Sequence, residues 1–150
     1  MAINDRVVAA LYARLARQWD EHERLMGTLS KEEINGPMVD LITAAFVEAA
    51  RRRFLKEGVP ASDAEVIDYI AFSRSKSEAA ADRIDPILAE KQINLALQKV
   101  SPDVMKDVDA DTAFDNQVFL LSLLVADGDY GDDELSELLQ RSREMAEELF

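Results

Sequence analysis

The chain has no cysteine, one histidine (His22), one tryptophan (Trp19), and only five glycines and four prolines in 150 residues. Each shortage excludes something. Without cysteine there are no disulfides, thiolate metal sites or cysteine nucleophiles, a pattern that suits a reducing cytoplasm. A lone histidine rules out three-histidine zinc sites. Trp19, three residues before it, breaks the Glu-x-x-His pattern of di-iron bundles. Scarce Gly and Pro favour long helices, and no run of alternating β-branched residues marks a strand. No apolar stretch approaches the ~20 residues of a membrane span. The chain also opens without a basic-then-apolar leader, so a cytoplasmic location with no membrane span is expected. G-x-S-x-G, P-loop and dinucleotide fingerprints are absent, and the glycines are too scattered to cradle a phosphate.

What is present is ordinary for a globular protein: 48% hydrophobic and 31% charged residues. At this length one domain is expected, able to bury about 70% of its unfolded surface. The net charge of −13 is unevenly spread. Met1–Pro60 carries nine basic and nine acidic residues, whereas Ser101–Phe150 carries three basic and fourteen acidic, net −11. Phosphate binding needs cations that release counterions, so nucleic acid is not an expected partner of the C-terminal half. A cation, a basic protein surface or plain solubility would each suit it.

Helical spacing covers most of the chain. Val8, Leu11, Leu15, Trp19, His22 and Met26 alternate at three and four residues, one face of a helix over Asp5–Met26 that stops at Gly27. His22 then sits at the edge of that face, satisfied by a neighbour. Ser30-Lys-Glu-Glu33 is a capping box, Gly36-Pro37 breaks the chain, and a helix follows from Pro37 to Glu57, ending at Gly58. Ser62-Asp-Ala-Glu65 opens Ala64–Phe72, with Val66, Ile67, Ile70 and Ala71 on one side. Ser73–Ala81 is an exposed helix or a loose segment. Asp85-Pro86 starts a helix reaching Val100, Ser101-Pro102 a short one to about Val108, and Asp111 caps the strongly apolar Phe114–Val125. Apolar nearly all round, that last segment belongs at the centre of a bundle. Asp132–Phe150 closes the chain with Leu135, Leu138, Leu139, Ser142, Met145 and Leu149 in a stripe. The expected fold is all-α, a single-domain bundle of six to eight helices.

Unusual chemistry gathers in Leu120–Leu139, where Asp127, Asp129, Asp132, Asp133 and Glu134 fall within eight residues. Carboxylates on a tight turn suit a hard divalent cation such as Ca²⁺ or Mg²⁺. The EF-hand template fails: counting from Asp127, the obligatory glycine position is Asp132 and the twelfth is Leu138. The candidate ligands of an irregular site are Asp127, Asp129, Asp133 and Glu134. The alternative is structural. Gly128 and Gly131 supply turn conformations, and Asp132, Asp133 and Glu134 complement the positive end of the last helix at ~0.3–1 kcal/mol each.

Ala126-Asp-Gly-Asp-Tyr-Gly-Asp-Asp-Glu134 resembles the repeated signature of TerB-like proteins, the helical domain named from bacterial tellurite resistance. Asp127, Gly128, Tyr130 and Glu134 fall on that signature. Met26-Gly-Thr-Leu-Ser-Lys-Glu-Glu33 is similar to its N-terminal copy, keeping Gly27, Leu29, Ser30 and Glu33 but with Met26 at the Asp position. Ala64–Ile70 is similar to the middle of the family, and these fragments together cover about a fifth of the chain. The resemblance implies an all-helical domain of two pseudo-repeated halves whose acidic turns are linked to metal ions. It also implies roles in stress response and membrane-associated complexes rather than catalysis.

Two further features carry alternatives. Arg51-Arg52-Arg53 with Lys56 is either a solvated helix end or an anionic docking spot, for instance for the acidic half of another copy. Leu149 and Phe150 either close the core or seed a dimer contact. Thirty carboxylates always supply some pair, but nothing singles one out for catalysis. The expectation is a non-enzymatic helical binding module with a divalent-cation site at 127–134. The alternative is an acidic interaction or regulatory protein without metal: a homodimer, a partner of a basic protein, or an acidic inhibitor of a nucleic-acid enzyme.

Overall fold

The computed structural model describes residues 2–149. The fold is all-α, apart from one minimal hairpin, and seven of its helices are eight residues or longer. No described helix is long and apolar enough to cross a membrane. The chain forms two compact units, Met1–Glu48 with Val125–Phe150, and Ala49–Leu124.

The first unit contains α1 (Asp5–Leu15), α2 (Trp19–Met26), the short α3 (Lys31–Asn35), the first two-thirds of α4 (Pro37–Phe54) and α9 (Asp132–Leu149). Asn4 caps α1, its side-chain oxygen accepting from Val7 N–H at 3.0 Å. The core takes Val7, Ala10 and Leu11 from α1, Leu41 and Ala45 from α4, and Leu135, Leu138 and Leu139 from α9. Each leucine so buried contributes about 1.5–3 kcal/mol before ordering costs.

The continuous helix expected over Asp5–Met26 is two helices. Arg17 takes a left-handed φ of 60°, and the Gln18 N–H donates back to the Ala13 carbonyl at 2.8 Å, a Schellman closure without glycine. The break turns Trp19 to the surface at 55% exposure, so it is not part of the apolar face. The capping box at Ser30–Glu33 forms with both of its reciprocal hydrogen bonds.

The second unit contains the end of α4, strands β1 (Leu55–Lys56) and β2 (Val59–Pro60), α5 (Asp63–Arg74), α6 (Glu78–Arg83), α7 (Pro86–Ala96), a 3-10 turn at Pro102–Met105, and α8 (Ala110–Asp127) as far as Leu124. Where helix was expected to run to Glu57, the chain turns into an antiparallel pair with Leu55 opposite Pro60 and Lys56 opposite Val59. Glu57 and Gly58 both have positive φ, 52° and 78°, the primed turn that fits a two-residue hairpin.

Helix α5 starts at Asp63 behind its Ser62 cap and buries Val66, Tyr69, Ile70 and Ser73. Ile67 and Ala71, expected on that side, are exposed. Asp85 caps α7 by accepting from the Ile87 and Leu88 N–H groups. That helix stops at Ala96, short of Val100, by the closure seen after α1: Gln98 has φ 60° and Lys99 N–H donates to Asn94 O at 2.9 Å. The cap of α8 is Asp109, not Asp111; its carboxylate accepts from the Thr112 N–H and hydroxyl, which holds its pKa below the ordinary value. Phe114, Val118, Phe119 and Leu123 are half-buried, so α8 buries one face, through Leu120, Leu121, Leu124 and Val125, instead of its whole circumference.

Candidate functional site

The acidic turn joins α8 to α9. Asp127 closes α8, Asp129 follows with a left-handed φ of 53°, and Asp133 and Glu134 lie in the first turn of α9. All four side chains are exposed. Among the described residues no three His, Asp or Glu side chains form a group that could hold a metal ion. The left-handed position of the turn is filled by Asp129, whose short polar side chain tolerates it; Gly131 is not left-handed. Asp132, Asp133 and Glu134 sit where the exposed N–H groups of α9 favour negative charge.

The turn is tied to α1. Tyr12 donates its hydroxyl to Asp132 Oδ1 at 3.1 Å. Burial raises the Tyr12 pKa first, and the hydrogen bond to Asp132 and the charges of Asp132 and Asp133 add to the rise. At the other end of α1, Glu33 gathers several donors. One carboxylate oxygen accepts from the Ser30 N–H at 2.9 Å, the other from the Asn4 amide and from Arg6 at 3.2 Å. Those bonds, the Ser30 N–H foremost, hold the Glu33 pKa below the usual carboxylate value. Glu33 and the acidic turn thus both grip α1, one at its start and one near its end.

Between these grips lies an open cleft of about 510 Å³. Its α1 wall is Asp5, Val8, Ala9, Tyr12 and Ala13; its α9 wall is Ser136, Leu139, Gln140 and Arg143; Gln18, Glu21 and Leu25 complete it. Each wall repeats at three and four residues, one helix face apiece. The floor is apolar through Val8, Ala9, Leu25 and Leu139, and carboxylates Asp5 and Glu21 line it beside the amides of Gln18 and Gln140. Arg143 reaches from α9 to Asp5 at 2.8 Å and along its own helix to Glu147 at 3.1 Å.

The surrounding unit concentrates the protein's charge. Counted over the two compact units, the first carries seventeen acidic and seven basic residues, net −10, and the second thirteen and ten, net −3. Sequence patterning missed the cleft because its key residues look like ordinary helix surface. No signal in either helix alone pairs the two faces: the α9 wall is polar through Ser136, Gln140 and Arg143, while the α1 wall is mostly apolar through Val8, Ala9 and Ala13.

Other singled-out residues have structural employment. His22 donates its Nδ1–H to the Ala10 carbonyl at 2.8 Å, because a carbonyl can only accept, and its ring stands edge-on to Trp19. Arg51 donates to Ala96 O at the end of α7, at 3.0 Å, and Arg53 stacks over Phe54 and Tyr69 at 5.1 and 5.2 Å. The cluster therefore spreads around its helix instead of forming one docking stripe. Leu149 is 69% exposed, so it does not close the core; Phe150 lies outside the described residues.

Comparison with protein-family models, curated proteins and solved structures finds no match.

Proposed function

We propose that the chain is a helical binding module whose cleft between α1, α2 and α9 takes a basic segment of a partner protein. The observation that carries this reading is the coincidence of the cleft with the unit of net −10 charge. An apolar floor beneath carboxylates suits a side chain with an aliphatic stem and a cationic head, above all arginine, whose planar fork matches a carboxylate. A volume of about 510 Å³ accepts a few side chains, not a folded domain. Charge steers encounter, while the fit of stem to floor sets residence.

The reading keeps the binding role that the TerB-like resemblance implies. The divalent-cation site at Asp127, Asp129, Asp133 and Glu134 rests on that resemblance and on carboxylate density; calorimetric titration with Ca²⁺, Mg²⁺ and Mn²⁺ is its test, and heat or a raised melting temperature at millimolar ion is its sign.

Fluorescence anisotropy with a labelled oligo-arginine peptide tests the cleft. Binding that weakens as salt rises and is abolished by Ser136→Trp, which fills the cleft from an exposed position on α9, supports it. Binding indifferent to Ser136→Trp overturns it. So does a stable dimer in sedimentation whose contact covers α1 and α9, because the cleft then belongs to a second copy.

A further inference from the structure

We infer that Arg143 is a built-in competitor of the partner, an internal cation standing on the carboxylate that an incoming arginine takes; this rests on the cleft being the binding site. Both acidic side chains of the cleft are already engaged by arginines of the same chain. Arg24 grips Glu21 locally, three residues along α2, with its Nε at 3.0 Å. Arg143 is different, because it lines the cleft itself and crosses it to Asp5.

Three features make that crossing exchangeable. The Asp5 side chain is 95% exposed, so the pair is solvated and gains little from its Coulomb attraction. The Asp5 carboxylate has room for a second guanidinium, having four lone-pair positions. Arg143 has a second home, since Glu147 lies one helical turn further on at 3.1 Å and keeps it paired once Asp5 is released. The arginine holds both carboxylates at once, bridged to α1, and has a second arrangement open to it, folded along α9 on Glu147 alone with Asp5 free for a partner cation. A partner cation shifts it from the first to the second by binding the carboxylate that the second leaves free. Discrimination follows as well: a weakly basic segment fails to displace Arg143, and one that also fills the apolar floor succeeds.

The test compares variants of the whole chain against the labelled oligo-arginine peptide at low salt. Arg143→Gln removes the competitor and is expected to tighten binding about fivefold, the scale of one exposed ion pair. Arg141→Gln makes the same change in net charge outside the cleft, where Arg141 pairs with Glu137 at 3.5 Å, and is expected to change affinity less than twofold. Adding Asp5→Asn to Arg143→Gln is expected to cancel the gain, because the contested carboxylate is gone. Equal tightening by Arg143→Gln and Arg141→Gln means that total charge alone acts, and overturns the competitor while leaving the cleft in place. No binding by the unaltered chain overturns both. A merely structural Arg143 would loosen binding on replacement, not tighten it.

Discussion

The two units of this chain join their distant segments with a different balance of polar contacts. In the second unit a buried, neutral chain of hydrogen bonds joins distant segments, beside charged contacts from Arg51 to the Ala96 carbonyl and from Lys99 to Asp63 and the Ala61 carbonyl. Asn116, 4% exposed, donates to the Gln92 side-chain oxygen at 2.7 Å and accepts from the Asp85 N–H at 3.2 Å, while Gln92 donates to the Ala113 carbonyl at 2.7 Å. This chain of bonds locks the start of α7 to α8. In the first unit charged groups near the surface join distant segments, Arg143 to Asp5, Tyr12 to Asp132, and Arg6 and Asn4 to Glu33, beside the neutral bond from His22 to the Ala10 carbonyl. Buried neutral bonds hold one geometry, because a broken one leaves an unsatisfied group away from water. Surface ionic bonds exchange partners cheaply and feel salt. The unit with the buried network carries a net charge of −3, and the unit that carries −10 holds its cleft with replaceable contacts.

The units differ in their polar contacts and not in their apolar cores, each of which fully buries leucine or isoleucine side chains. Leu138→Ala in the first unit and Ile93→Ala in the second, both fully buried, are each expected to cost about 2–5 kcal/mol in denaturant unfolding. A large inequality between them would break the comparison at once. Asn116→Ala strands the Gln92 oxygen and the Asp85 N–H; its expected cost is about 1–3 kcal/mol, unchanged between low and high salt. Tyr12→Phe removes one part-exposed bond to the acidic turn and is expected to cost about 0.5–1 kcal/mol, with faster hydrogen exchange at the start of α9 and not in α5 or α7.

The smallest expected effect is the pH response of Glu33. Its folded pKa is lower than the ordinary 4.5 of the unfolded chain, so the stability it gives is complete above that value and is lost as pH falls through the folded pKa. Glu33→Gln is expected to flatten the acid limb of the stability curve. A melting profile between pH 5 and pH 3 that matches the unaltered chain would remove Glu33 as the anchor of α1.

Caps were the legible part of this fold. Ser30, Ser62, Asp85 and Ser101 all accept from the N–H groups that their spacing foretold, since a side-chain oxygen before a helix has one obvious use. Stops were less legible. The closures at Arg17 and Gln98 use left-handed residues that are not glycine, so nothing in the local sequence marks them. The hairpin escaped for a related reason: Glu57-Gly58 resembles a helix end followed by its glycine, and only the positive φ of Glu57 makes it a primed turn. As for the candidate site, carboxylate density drew attention to 127–134, where the side chains are exposed. The cleft depends on α1 facing α9, a pairing of residues more than a hundred positions apart, and single-helix periodicity carries no information about which face meets which.

Chemical-shift mapping with the oligo-arginine peptide is the most direct measurement. The account predicts shifts concentrated at Val8, Ala9, Tyr12, Ser136 and Gln140, fading as salt rises. Shifts centred instead on the carboxylates of Asp103–Asp115, or spread evenly over every acidic surface, would contradict it.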